Sequence, residues 1–301
     1  MRMAKPISDP ATEFFVAHRN LLFTVAYEML GSATDAEDVL QESWLRWVRV
    51  DLETVRDRRA FLVRIVTRKS LDRLRALGRR KESYVGPWLP EPLLTAPDVA
   101  EDVELADSVS TAMLLVMETL APTERAVFVL REVFGLEYDE IAEAVEKTPV
   151  AVRQIAHRAR THVAARRPRG RVSAAQNRAV LHAFQAALET GDLQGLLDIM
   201  APDVVTLSDG GGVKNALLRP LVGADKVARL VSSRWFAPGT ARTVEPVPVN
   251  GGSGLLIRID GEVDSVMTFR LDNCGITGLY IVRNPQKLGW IGKENPIGRA
   301  L

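Results

Sequence analysis

The sequence predicts a multidomain chain: an all-α portion running to about residue 171, then an α+β portion. Three observations predict it. In the first portion apolar residues recur at helical spacing, as in Leu21, Leu22, Val25 and Met29, or Ile141, Ala142 and Val145. In the second, two helix-length segments precede alternating stretches such as VVTLSDGGG, GLLIRID, SVMTFRL and GITGLYIV, the period of half-buried strands. Prolines at 87, 90, 92 and 97 break the helical pattern between residues 83 and 103, because proline lacks an amide donor and clashes with the preceding turn.

Composition sets outer bounds. The chain has 301 residues, 47% of them apolar, enough for two or three compact domains. A net charge of +1 decides nothing, but its distribution does. Between Arg56 and Lys81 eleven Lys or Arg stand against Asp57 and Asp72, and Lys147 to Arg171 carries eight with no Asp or Glu. Such local fields suit phosphate. The single cysteine, Cys274, reads as a small buried residue on a strand. With no secretory leader and no apolar run long enough to span a bilayer, a cytoplasmic protein is expected.

Phe14 to Leu30 reads as a helix with Gly31 at its C-cap. In Ser32 to Val50, Ala36, Leu40, Trp44 and Trp47 form an inward stripe, while Asp38, Gln41, Glu42 and Leu45 share another face. Carboxylates and an amide beside an exposed Leu suit a partner helix, although a solvated face has the same pattern. Arg58 to Leu77 is a basic helix, with Thr67, Ser70 and Tyr84 as neutral hydrogen-bonding or stacking groups, and offers a nucleic-acid surface. The linker that follows leaves Trp88 and Leu89 extended, unable to bury themselves locally. They suit a groove on another domain or collapse onto the preceding helices. Behind them runs an acidic stretch of Asp98, Glu101, Asp102, Glu104 and Asp107.

Thr123 to Val163 reads as helix, helix, tight turn, helix. Thr148 is the N-cap and Pro149 the first residue of the last helix. Val152, Ala156, Ala159 and Val163 lie on one face of it, leaving Arg153, Gln154, His157, Arg158 and Arg160 largely free. This is a recognition-helix pattern, and equally that of a helical hairpin with a solvated Arg-rich face.

The order of parts is informative. DAEDVLQESWLRW is followed by RRAFLVRIVTRKSLDRLR, a linker, and a helix-turn-helix ending in RAR. It resembles an extracytoplasmic-function sigma factor of the sigma-70 family, with all-α regions 2 and 4. The resemblance implies that Asp38, Gln41, Glu42 and Leu45 dock on the β′ coiled coil of core RNA polymerase, whose β flap is a second partner. It implies that Arg64, Thr67, Arg68, Asp72 and Arg75 lie near the −10 element of promoter DNA, and that Thr148, Arg153, Gln154, His157 and Arg158 read the −35 element. Ile155 stands where the family often has a basic residue, so no contact is carried over to it.

Beyond residue 172, Gly191-Asp192, Ala201-Pro202-Asp203 and the strand after them resemble the SnoaL-like branch of the NTF2-like cone fold. Asp209, Gly210, Gly211 and Gly212 (DGGG), Asn284, Pro285, Lys287 and Leu288 (in NPQKL) and Trp88, Leu89, Pro90, Glu91 and Pro92 (WLPEP) resemble the sigma factors with such a domain fused at the C-terminus. The domains expected are 1–82 (region 2), 83–103 (linker), 104–171 (region 4), 172–290 (SnoaL-like) and 291–301 (tail).

Some SnoaL-like proteins are enzymes, so Asp209, Arg219, Asp260 and Asp264 are candidate acid-base groups. His182 is the only histidine after residue 171 and falls on a helix, where a packing or surface role suffices. DGGG lacks the Lys-Ser/Thr end of a phosphate loop, and its glycines suit a turn with positive φ or a close backbone approach. No His, Cys and carboxylate cluster has metal-ligand spacing, so no metal or cofactor is expected. A non-enzymatic promoter-specificity subunit is the expected function, regulated in cis by its last domain, with a small ligand in the cone as a possible further partner. The linker would meet the DGGG or NPQKL side, with Lys287 meeting Glu91 or the acidic run behind it as a surface pair. The alternatives are a stand-alone helix-turn-helix regulator with a ligand-binding cone, and a hydrolase or cyclase.

Overall fold

The computed structural model describes residues 9–95, 103–166, 172–235, 241–292 and 297–298. They form two compact units, one of residues 1–78, 120–162 and 296–301, the other of residues 79–119 and 163–295. Pro97 of the linker, and Asp98, Glu101 and Asp102 of the expected acidic run, lie outside the described residues.

The first unit is helical. Helices α1 (Pro10–Ala17) and α2 (Arg19–Leu30) replace the single helix expected from Phe14. The chain leaves helical geometry at His18, with φ −102° and ψ 3°, and an imidazole nitrogen 2.8 Å from the Phe14 carbonyl oxygen. Gly31 ends α2 at φ 67°, the left-handed conformation that glycine adopts without strain. In α3 (Ala33–Trp47), Ala36, Leu40 and Trp47 are buried, and the Trp47 indole donates to the Ala11 carbonyl at 2.8 Å. Then α4 runs from Arg58 to Glu82, past the expected end.

Completing this unit, α7 (Pro122–Phe128) continues through a π turn at Val129–Val133. After α8 (Tyr138–Val145), Glu146 takes a left-handed cap at φ 55°, and α9 (Pro149–Arg166) begins. Thr148 caps α9, accepting from the Ala151 amide at 3.3 Å. Val152, Ala156, Ala159 and Val163 are buried, as the period predicts, and so is Ile155. Arg125, 2% exposed, donates to the Glu28 carbonyl at 3.0 Å and so joins α7 to α2.

The second unit holds α5 (Val103–Val109), α6 (Thr111–Met117), α10 (Ala174–Thr190), α11 (Leu193–Asp198), α12 (Ala224–Trp235) and one sheet. Its strands are β1 (Met200–Asp209), β2 (Leu221–Val222), β3 (Arg242–Val249), β4 (Gly252–Ile259), β5 (Glu262–Asp272) and β6 (Gly275–Val282). Their order is β2-β1-β6-β5-β4-β3, with β1 parallel to β6 and the other neighbours antiparallel. Alternation sorts the side chains between two apolar faces. Leu255, Ile257, Met267, Leu279 and Ile281 pack with Phe184, Leu188, Leu196, Val227 and Val231 of the helices. On the other face, Leu256, Val266, Tyr280 and Val282 pack with Leu89 of the linker and Leu288, joined by Ala112 and Leu115 of α6.

Two further details bear on the expectations. Cys274 is exposed, not buried on a strand, because β5 ends at Asp272 and the cysteine falls in the turn to β6. Its amide donates to the Asp272 carboxylate at 2.7 Å. Among the described residues no helix is long and apolar enough to cross a membrane.

Phe184 is fully buried, with its ring 5.0 Å from that of Phe269 in an edge-to-face arrangement. Phe184→Ala is expected to destabilise the second unit by about 3–5 kcal/mol, measured by denaturant unfolding.

Candidate nucleic-acid interface and linker latch

The docking candidates form an open face on α3. Gln41, Glu42 and Leu45 are exposed, with Leu45 at 56%, and Asp38 is half-buried. Two of the four already hold cations from α4: Arg73 lies 2.5 Å from Asp38 and 2.6 Å from Asp35, and Lys69 lies 2.7 Å from Glu42. The candidates on α4 are similarly engaged. Arg64 pairs with Glu143 at 2.8 Å, and Arg68 donates to the Glu143 carbonyl at 2.8 Å and lies 3.3 Å from Glu146. Arg75 pairs with Asp72 one turn away at 2.9 Å. Thr67 does not belong on this surface: it is fully buried, because it falls on the inner stripe with Val63, Ser70 and Leu74. A depression of about 250 Å³, lined by Arg68, Lys69, Asp72, Arg75 and the end of α8, remains open beside these pairs.

On α9, Arg153, Gln154, His157 and Arg158 are exposed and together line an open depression of about 440 Å³. Thr148, at the helix start, is exposed too, although its hydroxyl serves as the cap.

The linker motif and both C-terminal motifs meet in the second unit, around one carboxylate. Asp209 is fully buried at the end of β1. Its Oδ1 accepts from the Tyr84 hydroxyl at 2.5 Å and the Gly211 amide at 3.1 Å. Oδ2 accepts from the Leu89 amide at 2.9 Å and from Nζ of Lys287 at 2.7 Å. Lys287, 3% exposed, also donates to the Leu89 carbonyl at 2.6 Å and lies 3.3 Å from the ring centroid of Trp88. Asn284 donates to the Tyr84 oxygen at 2.8 Å. Leu89 and Leu93 are fully buried, and Pro90, Glu91 and Pro92 are buried between them. The expected Lys287–Glu91 surface pair is thus replaced by a buried Lys287–Asp209 pair, with Glu91 adding a weaker favourable charge.

Glycine is required at two positions of DGGG. Gly211 has φ 63°, and a Cβ there would overlap the Asn284 side chain, while one on Gly210 would overlap the Lys214 carbonyl oxygen. The other acid-base candidates do not converge with Asp209. Asp264 is buried in a two-point pair with Arg283 at 2.6 and 3.1 Å, Asp260 lies in the β4–β5 hairpin, and Arg219 is exposed. His182 is exposed on α10.

Residues 14–80 match the family model for Sigma-70 region 2, and residues 110–163 that for Sigma-70, region 4. The ECF RNA polymerase sigma factor SigJ of Mycobacterium tuberculosis (strain ATCC 25618 / H37Rv) is 34% identical over 287 residues, 91% of each chain. The chain belongs to the extracytoplasmic-function RNA polymerase sigma factors. A probable ECF sigma factor of the same species, SigI (strain CDC 1551 / Oshkosh), is 32% identical over 93% of this sigma factor and 95% of its own length. The crystal structure of SigJ superposes with a TM-score of 0.72 at 30% identity, over 92% of this chain and 97% of that one. This sigma factor therefore carries a SnoaL-like, NTF2-like domain fused behind regions 2 and 4.

Several contacts of the sigma factor's linker, and of α5 and α6 behind it, were not anticipated from sequence. Tyr84, read as a nucleic-acid group, binds Asp209, and its own ionisation is pushed up by burial and by that carboxylate. Asn250, at φ 52°, accepts from the Leu93 amide at 3.2 Å and donates to the Val109 carbonyl at 3.0 Å. Thr95 donates its amide to the Pro248 carbonyl at 3.1 Å, and the hydroxyls of Thr268 and Thr111 meet at 3.0 Å. The Asn250-Gly251 dipeptide was the available signal, since Asn-Gly favours tight hairpins, but that signal carries no information about what the turn touches.

Burial lowers the Lys287 pKa from 10.5 to about 8, against the pull of Asp209. The lysine is charged at neutral pH and binds fewer protons docked than released between about pH 8 and 10.5. Stability of the docked state from this group therefore rises with pH through that window. Lys287→Met is expected to cost about 3 kcal/mol at neutral pH, the low end for a broken buried pair because three donors to Asp209 remain. In urea unfolding, the advantage of the parent over Lys287→Met should be larger at pH 9.5 than at pH 7.5.

Proposed function

We propose that this sigma factor joins core RNA polymerase in the cytoplasm, through the β′ coiled coil and the β flap, and directs it to a small set of promoters. Asp38, Gln41, Glu42 and Leu45 dock on the polymerase, Arg64, Arg68, Asp72 and Arg75 act at the −10 element, and α9 reads the −35 element. One observation carries the reading: two sigma-70 regions occur in order on one chain, each with an exposed charged face of the expected kind. It has no catalytic step of its own. Run-off transcription with purified core polymerase on a genomic promoter library tests it, and a failure to support any initiation would sink it.

The second part of the proposal is control in cis. The cations offered to DNA already hold Glu143 and Glu146, and the carboxylates offered to polymerase already hold Arg73 and Lys69. Exposed pairs of this kind contribute about 0–1 kcal/mol each, so polymerase and promoter can displace them. The more costly step is releasing the linker, whose Leu89 and Leu93 are fully buried. Burying such side chains stabilises by roughly 1.5–3 kcal/mol each. The linker is the occupant these contacts support for this side of the cone, ahead of a small ligand.

Asp38→Arg with Glu42→Arg is expected to weaken core binding by roughly tenfold or more, read from a core-polymerase titration. Undiminished binding would remove the docking assignment. Trp88→Ala and a chain ending near Trp290 are expected to transcribe more than the full chain, while a chain ending near Arg171 also loses whatever the SnoaL-like domain contributes to initiation. Identical transcription by all four would exclude control in cis.

A further inference from the structure

Tyr138 is the first residue of α8, and three arginines converge on it. The guanidinium of Arg131 lies 4.6 Å from the ring centroid and that of Arg153 lies 5.5 Å from it. Arg160 donates to the phenolic oxygen at 3.2 Å. Arg153 and Arg160 are two helical turns apart on α9, hence on one face, and Tyr138 lies along that face. Arg131 is held by its own bond to the Leu136 carbonyl at 2.7 Å. A guanidinium attracted to an aromatic face within about 6 Å is restrained without an N–H group being used in a hydrogen bond to the ring. The N–H groups are those needed for two-point bonding to guanine O6 and N7. A long side chain restrained before binding also has less rotamer freedom left to lose.

We propose that Tyr138 is a positioning residue for −35 recognition. Its ring holds Arg153 so that the guanidinium edge faces a base, and its hydroxyl steadies Arg160 beside it. This rests on the reading of α9 as the −35 helix with Arg153 among its base-reading residues. Tyr138 itself touches no DNA in this role. Its removal alters which base is preferred, whereas loss of a merely structural residue weakens binding to all sequences alike.

The test uses holoenzyme reconstituted from the full chain and core polymerase, with binding selections on promoters randomised at the −35 element. Tyr138→Phe, Tyr138→Leu, Arg153→Ala and the double variant Tyr138→Leu/Arg153→Ala are compared, each first checked for an unchanged melting profile. Arg153→Ala and Tyr138→Leu are expected to relax preference at the same base position by roughly tenfold, within the range of one good bidentate pair. The double variant should relax it no further, and Tyr138→Phe should keep most of it because the ring remains. The salt dependence of binding should fall in Arg153→Ala and stay unchanged in Tyr138→Leu, which keeps every cation. Tyr138→Leu with the parent's base preference, or with a uniform loss across all sequences, overturns the positioning role while leaving −35 reading by Arg153 intact. Unchanged preference in Arg153→Ala overturns the base-reading role of Arg153 and the positioning role with it.

Discussion

A carboxylate with no exposure to water is costly unless its lone pairs all find donors, and Asp209 draws four, from Tyr84, Gly211, Leu89 and Lys287. Two of the four come from the linker, so the charge is fully compensated only while the linker is in place. The same holds for Lys287, whose ammonium is shared between Asp209, the Leu89 carbonyl and the Trp88 ring. The polar groups fix the register of the linker on the sheet, and the apolar residues around Leu89 and Leu93 contribute most of the stabilisation. Because α10, α11 and α12 cover only one face of the sheet, the other apolar face needs a cover. The linker and α6 provide it.

The first unit works by different physics. While Arg73 bridges Asp38 and the buried Asp35, the unit's interhelical charges lie largely at the surface, as in Arg64 with Glu143 and Lys69 with Glu42. Such contacts are weak, screened by salt and quickly exchanged. Under the proposed function, that suits surfaces that give up one partner for another. The buried contacts of this unit, such as Trp47 with Ala11 and Arg125 with the Glu28 carbonyl, maintain the helical scaffold. A buried latch holds the linker, whereas the pairs on the proposed binding faces lie at the surface.

Residues 79–119 pack in the same compact unit as the SnoaL-like domain, although α6 falls within the segment matching region 4. Family boundaries follow ancestry along the chain, whereas compactness follows which apolar faces meet. Here α6 presents Ala112 and Leu115 to the sheet, and Thr111 bonds to Thr268. A segment that resembles a DNA-binding module therefore contributes its leading helix to another domain's core.

Local periodicity and turn chemistry were enough for the helix-turn-helix, the Thr148 cap, the apolar face of α9 and the α+β change near residue 172, because each depends on residues within a few positions of one another. They were also enough to mark Trp88 and Leu89 as needing cover, since proline denies the segment a helix of its own. Periodicity should have turned Thr67 inward, but the basic context of its helix obscured the stripe. Only the tertiary structure decided that Lys287 pairs with Asp209 and not Glu91, that Tyr84 closes the latch, and that Asn250 clamps both the linker and α5. Those choices join residues more than a hundred positions apart or discriminate between two nearby carboxylates. They depend on where the sheet brings backbone groups into register and which charge it deprives of water. Sequence spacing contains the candidates for such contacts, but burial selects among them.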